Sequence, residues 1–206
     1  MTAEQRRPYD SSRRREDAAG TRAAILDAAL ELFSTKGYAT VTVAEIAAHA
    51  GVSLRTVYSS AGGKPELLAA VIARAESSSG GEEVIDRVKE LNNPSAVLAA
   101  LAKGTREGNE RSQAIFELAR STASMPEALE IRASLIRRYA ELLDVAAGHL
   151  MDIDALIPSM TSREAGEILW FCFGVDAWTT TTRDLRKSWA EAERWLLRRA
   201  QSMLLR

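Results

Sequence analysis

Ser53, Arg55, Thr56, Tyr58 and Ser59 share one short run, with Thr42 before it and Lys64 after it. Hydroxyls and cations of this kind donate hydrogen bonds to anions; they are not a nucleophile with its base. The fork of Arg55 matches guanine O6 and N7. It equally fits a phosphate, and the sequence leaves both readings open. Leu54 stands beside it as an apolar residue able to meet DNA.

Two helix starts must position these groups. Thr42 can cap a first helix, and Glu45 can reach back to close a capping box, with Val41 and Ile46 as the staple. Ser53 caps a second, with Val52 and Val57 as its staple. Between them Gly51 can take the left-handed conformation that ends a helix. The spacing predicts a helix-turn-helix, which offers its second helix, here Ser53 to about Ser60, to the DNA major groove. Thr42 can also serve as a phosphate ligand, because a helix N-terminus attracts anions.

Composition agrees. Ala, Leu, Arg and Glu are abundant, and the few Gly and Pro sit at apparent boundaries, which predicts an all-α fold. The single cysteine, Cys172, excludes an intrachain disulfide or a thiolate zinc cluster. Two histidines, with no phosphate loop and no nucleophile motif, argue against an enzyme. No metal or cofactor is expected, and His49 reads as a surface or phosphate-facing residue. No apolar run reaches the roughly 18 residues of a membrane span. The Arg-rich start is not a secretory signal, and a cytoplasmic protein is the expectation. Residues 1–75 carry a formal charge of +2 and the remainder −3, as a DNA-binding end and another end would.

The organisation predicted is an Arg-rich disordered arm over 1–18, a DNA-binding domain over 19–76, and a second domain over 77–206. The arm's Arg13, Arg14 and Arg15 suit either an adjacent minor groove or plain solvation. Periodicity predicts a first helix from about Thr21 to Lys36 and a fourth from about Lys64. Asn93-Pro94 opens another, which Gly104 and Gly108 are expected to break. Ser124 with Glu127, Thr161 with Glu164 and Ser188 with Glu191 form further capping boxes. The helix after Thr161 is apolar on two sides. One stripe suits its own core; the other, Trp170, Gly174, Ala177 and Trp178, suits a second subunit, with Gly174 permitting close approach. Trp195 and Leu196 in the final helix join that expected interface.

Over about fifty residues the chain resembles the tetracycline-repressor (TetR) family of bacterial transcription regulators. The match runs through Arg22, Ile25, Ala28-Ala29, Leu32-Phe33, Gly37-Tyr38, Thr42-Val43, Ile46-Ala47, Ala50-Gly51-Val52-Ser53, Thr56-Val57-Tyr58, Lys64 and Leu67-Leu68. The resemblance implies a homodimer with a helix-turn-helix head and a helical ligand-binding body, bound to a palindromic operator in double-stranded DNA. It implies phosphate contacts for Tyr58 and Lys64, and for Arg22 as well. The last two helices would form the dimer interface. A small-molecule effector, of identity not written in the sequence, would release a repressor. A regulator that activates, or that takes no ligand, is the alternative; an interaction module or enzyme fits less well. Candidate ligand-binding residues are Phe116, Tyr139, Leu143, His149, Trp170 and Phe171, with core packing as the plain alternative for each.

One position departs from the family pattern. Three residues after the tyrosine, where the family usually has an aromatic, stands Ala61, followed by two glycines. That predicts either repacking or a closer approach, and a head whose melting temperature Ala61→Phe would raise.

Overall fold

The computed structural model describes residues 11–77, 80–122 and 125–206. Among them every regular element is helical, apart from one isolated bridge between Leu156 and Leu205. Two compact units divide between Val71 and Ile72.

The first unit holds α1 (Ser11–Lys36), α2 (Val43–His49), α3 (Leu54–Ala61) and the start of α4 (Lys64–Ser77). Each of α1, α2 and α3 packs on the other two. Ile25, Ala29, Ile46, Val57, Leu67 and Leu68 are fully buried, and the Phe33 and Tyr38 rings meet at 5.0 Å. Helix α1 starts at Ser11, well before Thr21, so residues 11–18 are helical and not a disordered arm. Arg, Glu and Ala are good helix formers, and extending an existing helix avoids the cost of nucleation. The arm's first ten residues and the box residue Ser124 lie outside the described residues.

The second unit contains the rest of α4, then α5 (Gly81–Lys89), α6 (Pro94–Arg111), α7 (Gln113–Ser121), α8 (Pro126–Asp152), α9 (Ser162–Phe173), α10 (Val175–Thr179) and α11 (Trp189–Leu204). A π-helical turn, Thr180–Asp184, follows α10. Helix α8 packs on α5 and α9, while α6 packs on α5 and α11. Leu98, Leu101, Leu143, Leu150, Leu169 and Phe173 are among the residues at the centre of the core. The boxes at Thr161 and Ser188 are complete, and Asn93 caps α6 with Pro94 in its first turn.

Two glycine expectations are corrected. Helix α6 runs unbroken through Gly104 and Gly108. A Cβ on Gly104 would stand 2.3 Å from a methyl of Val84, so this glycine lets α5 lie against α6. The break comes instead at Gly174, which ends α9 with an extended ψ of 164°. A Cβ there would meet the Trp170 carbonyl at 2.5 Å, so the close neighbour of Gly174 is its own chain. Beyond the break Trp178 turns inward. It is 1% exposed, its Nε1 donates to the Phe173 carbonyl at 3.1 Å, and its ring lies 6.0 Å from that of Trp189.

Among the described residues no helix is long and apolar enough to cross a membrane, and no cluster of three His, Cys, Asp or Glu could hold a metal.

Candidate nucleic-acid interface and effector cavity

Local hydrogen bonds set the helix-turn-helix. Thr42 Oγ1 accepts from the Glu45 amide at 3.2 Å, and Glu45 Oε2 accepts from the Thr42 amide at 2.9 Å and from its hydroxyl at 3.0 Å. Lys36 Nζ reaches the other carboxylate oxygen at 3.0 Å. The Thr42 backbone N–H, the Lys36 ammonium and the Thr42 hydroxyl hold the Glu45 carboxyl at a pKa of about 2. The helix start therefore carries an ionised carboxylate of its own, and both Thr42 donors are engaged with it.

Gly51, at φ 68°, makes the turn into α3. Ser53 Oγ accepts from the Thr56 amide at 3.1 Å, and the two hydroxyls lie 2.8 Å apart. Val57 is buried, so the helix presents its opposite side: Leu54 and Tyr58 are 44% and 54% exposed, and Arg55 and Ser59 are exposed with them. Ser59 Oγ donates to the Thr56 carbonyl at 3.1 Å. Arg55 makes no ion pair among the described residues. These four side chains form one continuous face; Thr56 is half-buried beside it.

The remaining cations bind within the head. Arg22 donates to the Ser60 carbonyl, closing the C-terminal end of α3 from α1. Lys64 donates to the Ala39 carbonyl at 3.0 Å and lies 4.6 Å from the centre of the Tyr38 ring. His49 is exposed and lies 3.0 Å from Glu31.

At the joint after α3 the chain lies close upon Glu66. Ala61 is 7% exposed, Gly62 sits at φ 83°, and a Cβ on Gly62 would fall 2.7 Å from Glu66 Cβ. Glu66 Oε2 accepts from the Gly63 amide at 3.0 Å. Gly62 and Glu66 thus lie close together beside the buried Ala61.

The second unit contains a cavity of about 90 Å³ between α5, α6, α7 and α8. Phe116, Tyr139 and Leu143, three of the candidate ligand-binding residues, line it. Trp170 stands behind Tyr139, edge to face at 5.7 Å. His149 is elsewhere: its Nε2 donates to the Leu91 carbonyl at 2.8 Å. Phe171 is on the outside, 71% exposed. Sequence reasoning missed Thr105, Asn109, Ser112 and Leu142 in the lining. The signal is present: Gly104, Gly108 and Ser112 recur every four residues, one face of a helix, but glycines so placed also suit a helix break. Burial pushes the Tyr139 hydroxyl above its ordinary range and the Cys172 thiol up to about 11, so neither ionises near neutrality.

The residues expected at a subunit interface are placed differently by the fold. Trp178 and Leu196 lie in the body's own core, while Trp170, Ala177 and Trp195 are half-buried against it. Arg199 lies over the Trp195 ring at 5.3 Å. Among the exposed apolar residues, Phe171, Ile157 and Met203 lie around a groove along α9 and α11, with half-buried Met160 and Ile168 and with Glu164 and Glu167 in its lining.

Residues 25–71 match the model of the bacterial regulatory proteins of the tetR family. None of the curated proteins compared with the chain matches it. Among solved structures, it is similar to SmeT, the repressor of the Stenotrophomonas maltophilia multidrug efflux pump SmeDEF, with a TM-score of 0.73 at 22% identity over 92% of this chain and 93% of that one. It is similar to NalD, the secondary repressor of the MexAB-OprM multidrug efflux pump in Pseudomonas aeruginosa, at 0.70 and 23% over 93% and 98%. The fatty acid degradation regulator FadR from Bacillus halodurans gives 0.69 and 16% over 87% and 94%. At these identities the likeness is one of fold.

Proposed function

We propose that this chain, whose residues 25–71 are a TetR-family DNA-binding domain, is a homodimeric repressor that binds a palindromic operator and is released by a small molecule. One observation carries the DNA reading: within the matched domain, a capped helix holds its inner side in the core and leaves Leu54, Arg55, Tyr58 and Ser59 outward. A helix so held can enter the major groove with a rigid set of contacts. Arg55 reads a base edge; Tyr58 and Ser59 serve the backbone. Lys64 and Arg22 act mainly by holding the head together, and Lys64 reaches phosphate only by leaving the Ala39 carbonyl.

The dimer reading rests on the apolar face of α9 and α11, where Phe171, Ile157 and Met203 are exposed together. A patch of this kind marks an interaction surface. Two copies of it around a two-fold axis would pair two heads with a palindrome. The effector reading rests on the cavity of the body. The similar folds of SmeT, NalD and FadR regulate efflux pumps and fatty acid degradation, so the fold leaves ligand class open. Release requires only that the effector bind the DNA-free form more tightly.

Selection of the full chain on a random duplex library, followed by footprinting, tests the central claim. A two-fold-symmetric site should emerge, with half-sites about 34–36 Å or more apart and affinity falling as salt rises. Retention of no sequence in preference to bulk DNA would sink the proposal.

A further inference from the structure

Polar groups beside the cavity fix one another's hydrogen-bond directions. Tyr139 donates its hydroxyl proton to the Phe173 carbonyl at 2.7 Å. Toward Asn109 it can then only accept, and Asn109 Nδ2 donates to it at 2.9 Å. The second Nδ2 proton goes to the Thr105 carbonyl at 2.7 Å. Turning the amide over would set its oxygen against that carbonyl, so the orientation is determined by its partners. Asn109 Oδ1 is left as an acceptor with no donor among the described residues, on a side chain only 3% exposed. A buried acceptor of this kind carries a desolvation penalty that a matching donor removes.

Asn109 is among the residues around the 90 Å³ cavity, whose lining also includes the apolar Phe116, Leu135 and Leu142 and the polar Thr105 and Ser112; Oδ1 itself is closed over, so a ligand reaches it only as the lining gives way. Arg138 at the cavity already pairs with Glu82 at 2.8 Å. We infer that the effector is an uncharged, mostly apolar molecule, about one ring in width, that gives one O–H or N–H to Asn109 Oδ1. The inference rests on the reading that this body binds a small molecule, and it specifies the chemistry of that molecule. An ionised carboxylate has acceptors only and would meet Oδ1 lone pair to lone pair. Size follows the same logic. At about 90 Å³ the cavity is smaller than the ~150 Å³ that admits benzene, so a ring enters only as Phe116, half-buried on α7, shifts aside.

Calorimetric titration of the full chain at neutral pH with 4-methylphenol, 4-methylanisole and 4-methylbenzoate decides it. The three are close in size and differ in what they offer: a donor, a neutral acceptor and an anionic acceptor. The phenol should bind about tenfold more tightly than the anisole, which is about 1.4 kcal/mol, with the benzoate weakest. In Asn109→Leu, checked for folding by circular dichroism, the phenol and anisole should become equal while the anisole still binds. Equal binding of phenol and anisole to the unaltered protein, or tightest binding of the benzoate, overturns the donor assignment and leaves the cavity as a ligand site. Binding of none of the three overturns both readings.

Discussion

Arg55 and Lys64 carry the same charge into opposite circumstances. Arg55 is exposed on the outer face of α3, whereas the Lys64 ammonium is bonded to the Ala39 carbonyl and stacked on Tyr38. Charge alone would assign them the same loss of DNA affinity on removal. Their surroundings separate them. Arg55→Ala should cost about 1–3 kcal/mol of discrimination between operator and scrambled duplex, with little change in melting temperature. Lys64→Ala should weaken both duplexes alike and also lower the melting temperature, because it removes a tie within the head. Fluorescence anisotropy on both duplexes, with a thermal melt of each variant, reads the two effects. If each variant lost affinity equally for operator and scrambled DNA, Arg55 would be a phosphate contact and not a base reader. The side chains of this face were legible in the sequence because caps, staples and turn glycines act over three or four residues. Asn109 was not, because its role depends on Tyr139, Thr105 and Phe173, and Tyr139 and Phe173 lie on other helices.

Elements show the same division. Ten or more residues of regular apolar spacing announce a helix whatever surrounds it, so the positions of most helices could be read. A glycine is different: it either ends a helix or lets a neighbour approach, and only the neighbour decides. Gly104 faces Val84 and leaves α6 whole; Gly174 faces Trp170 and ends α9. The inward turn of Trp178 follows from that break, and a stripe drawn through a continuous helix could not foresee it. The joint after α3 is the third case. Emptying an aromatic site would normally leave a void, but Ala61 is buried and Gly62 lies against Glu66 beside it. Ala61→Phe therefore overfills a packed joint, at a cost of about 1–3 kcal/mol. A head of this size would melt roughly 4–8 °C lower for each kcal/mol. This reverses the sign expected from the family pattern. Calorimetry on the intact chain measures it, and a higher melting temperature would show that room for the ring remains.

At the scale of the molecule, the proposed dimer must hold two heads to one operator. The body buries one of its four tryptophans, Trp178, in its own core and places Phe171 outside, 71% exposed, beside Ile157, Ile168 and Met203. A face that pairs with its own copy is self-complementary, so one substitution appears twice in the interface. Phe171→Glu then buries two carboxylates against apolar groups, with no partner for either, and such charges are expelled from an interface at high cost. The substitution touches little within the subunit, because Phe171 is already mostly in water. Light scattering should find the unaltered protein at twice its 22.5 kDa chain mass and the variant at the chain mass itself. Circular dichroism should be unchanged. Trp178→Ala is the contrasting variant: removal of a fully buried indole should cost about 3–5 kcal/mol and unfold the body before any effect on assembly is seen. Operator binding should follow the mass. A monomer contacts one half-site at a time, so Phe171→Glu should bind a full palindrome no better than an isolated half-site. A Phe171→Glu protein that remained dimeric and kept its preference for the palindrome would move the interface to another face of the body.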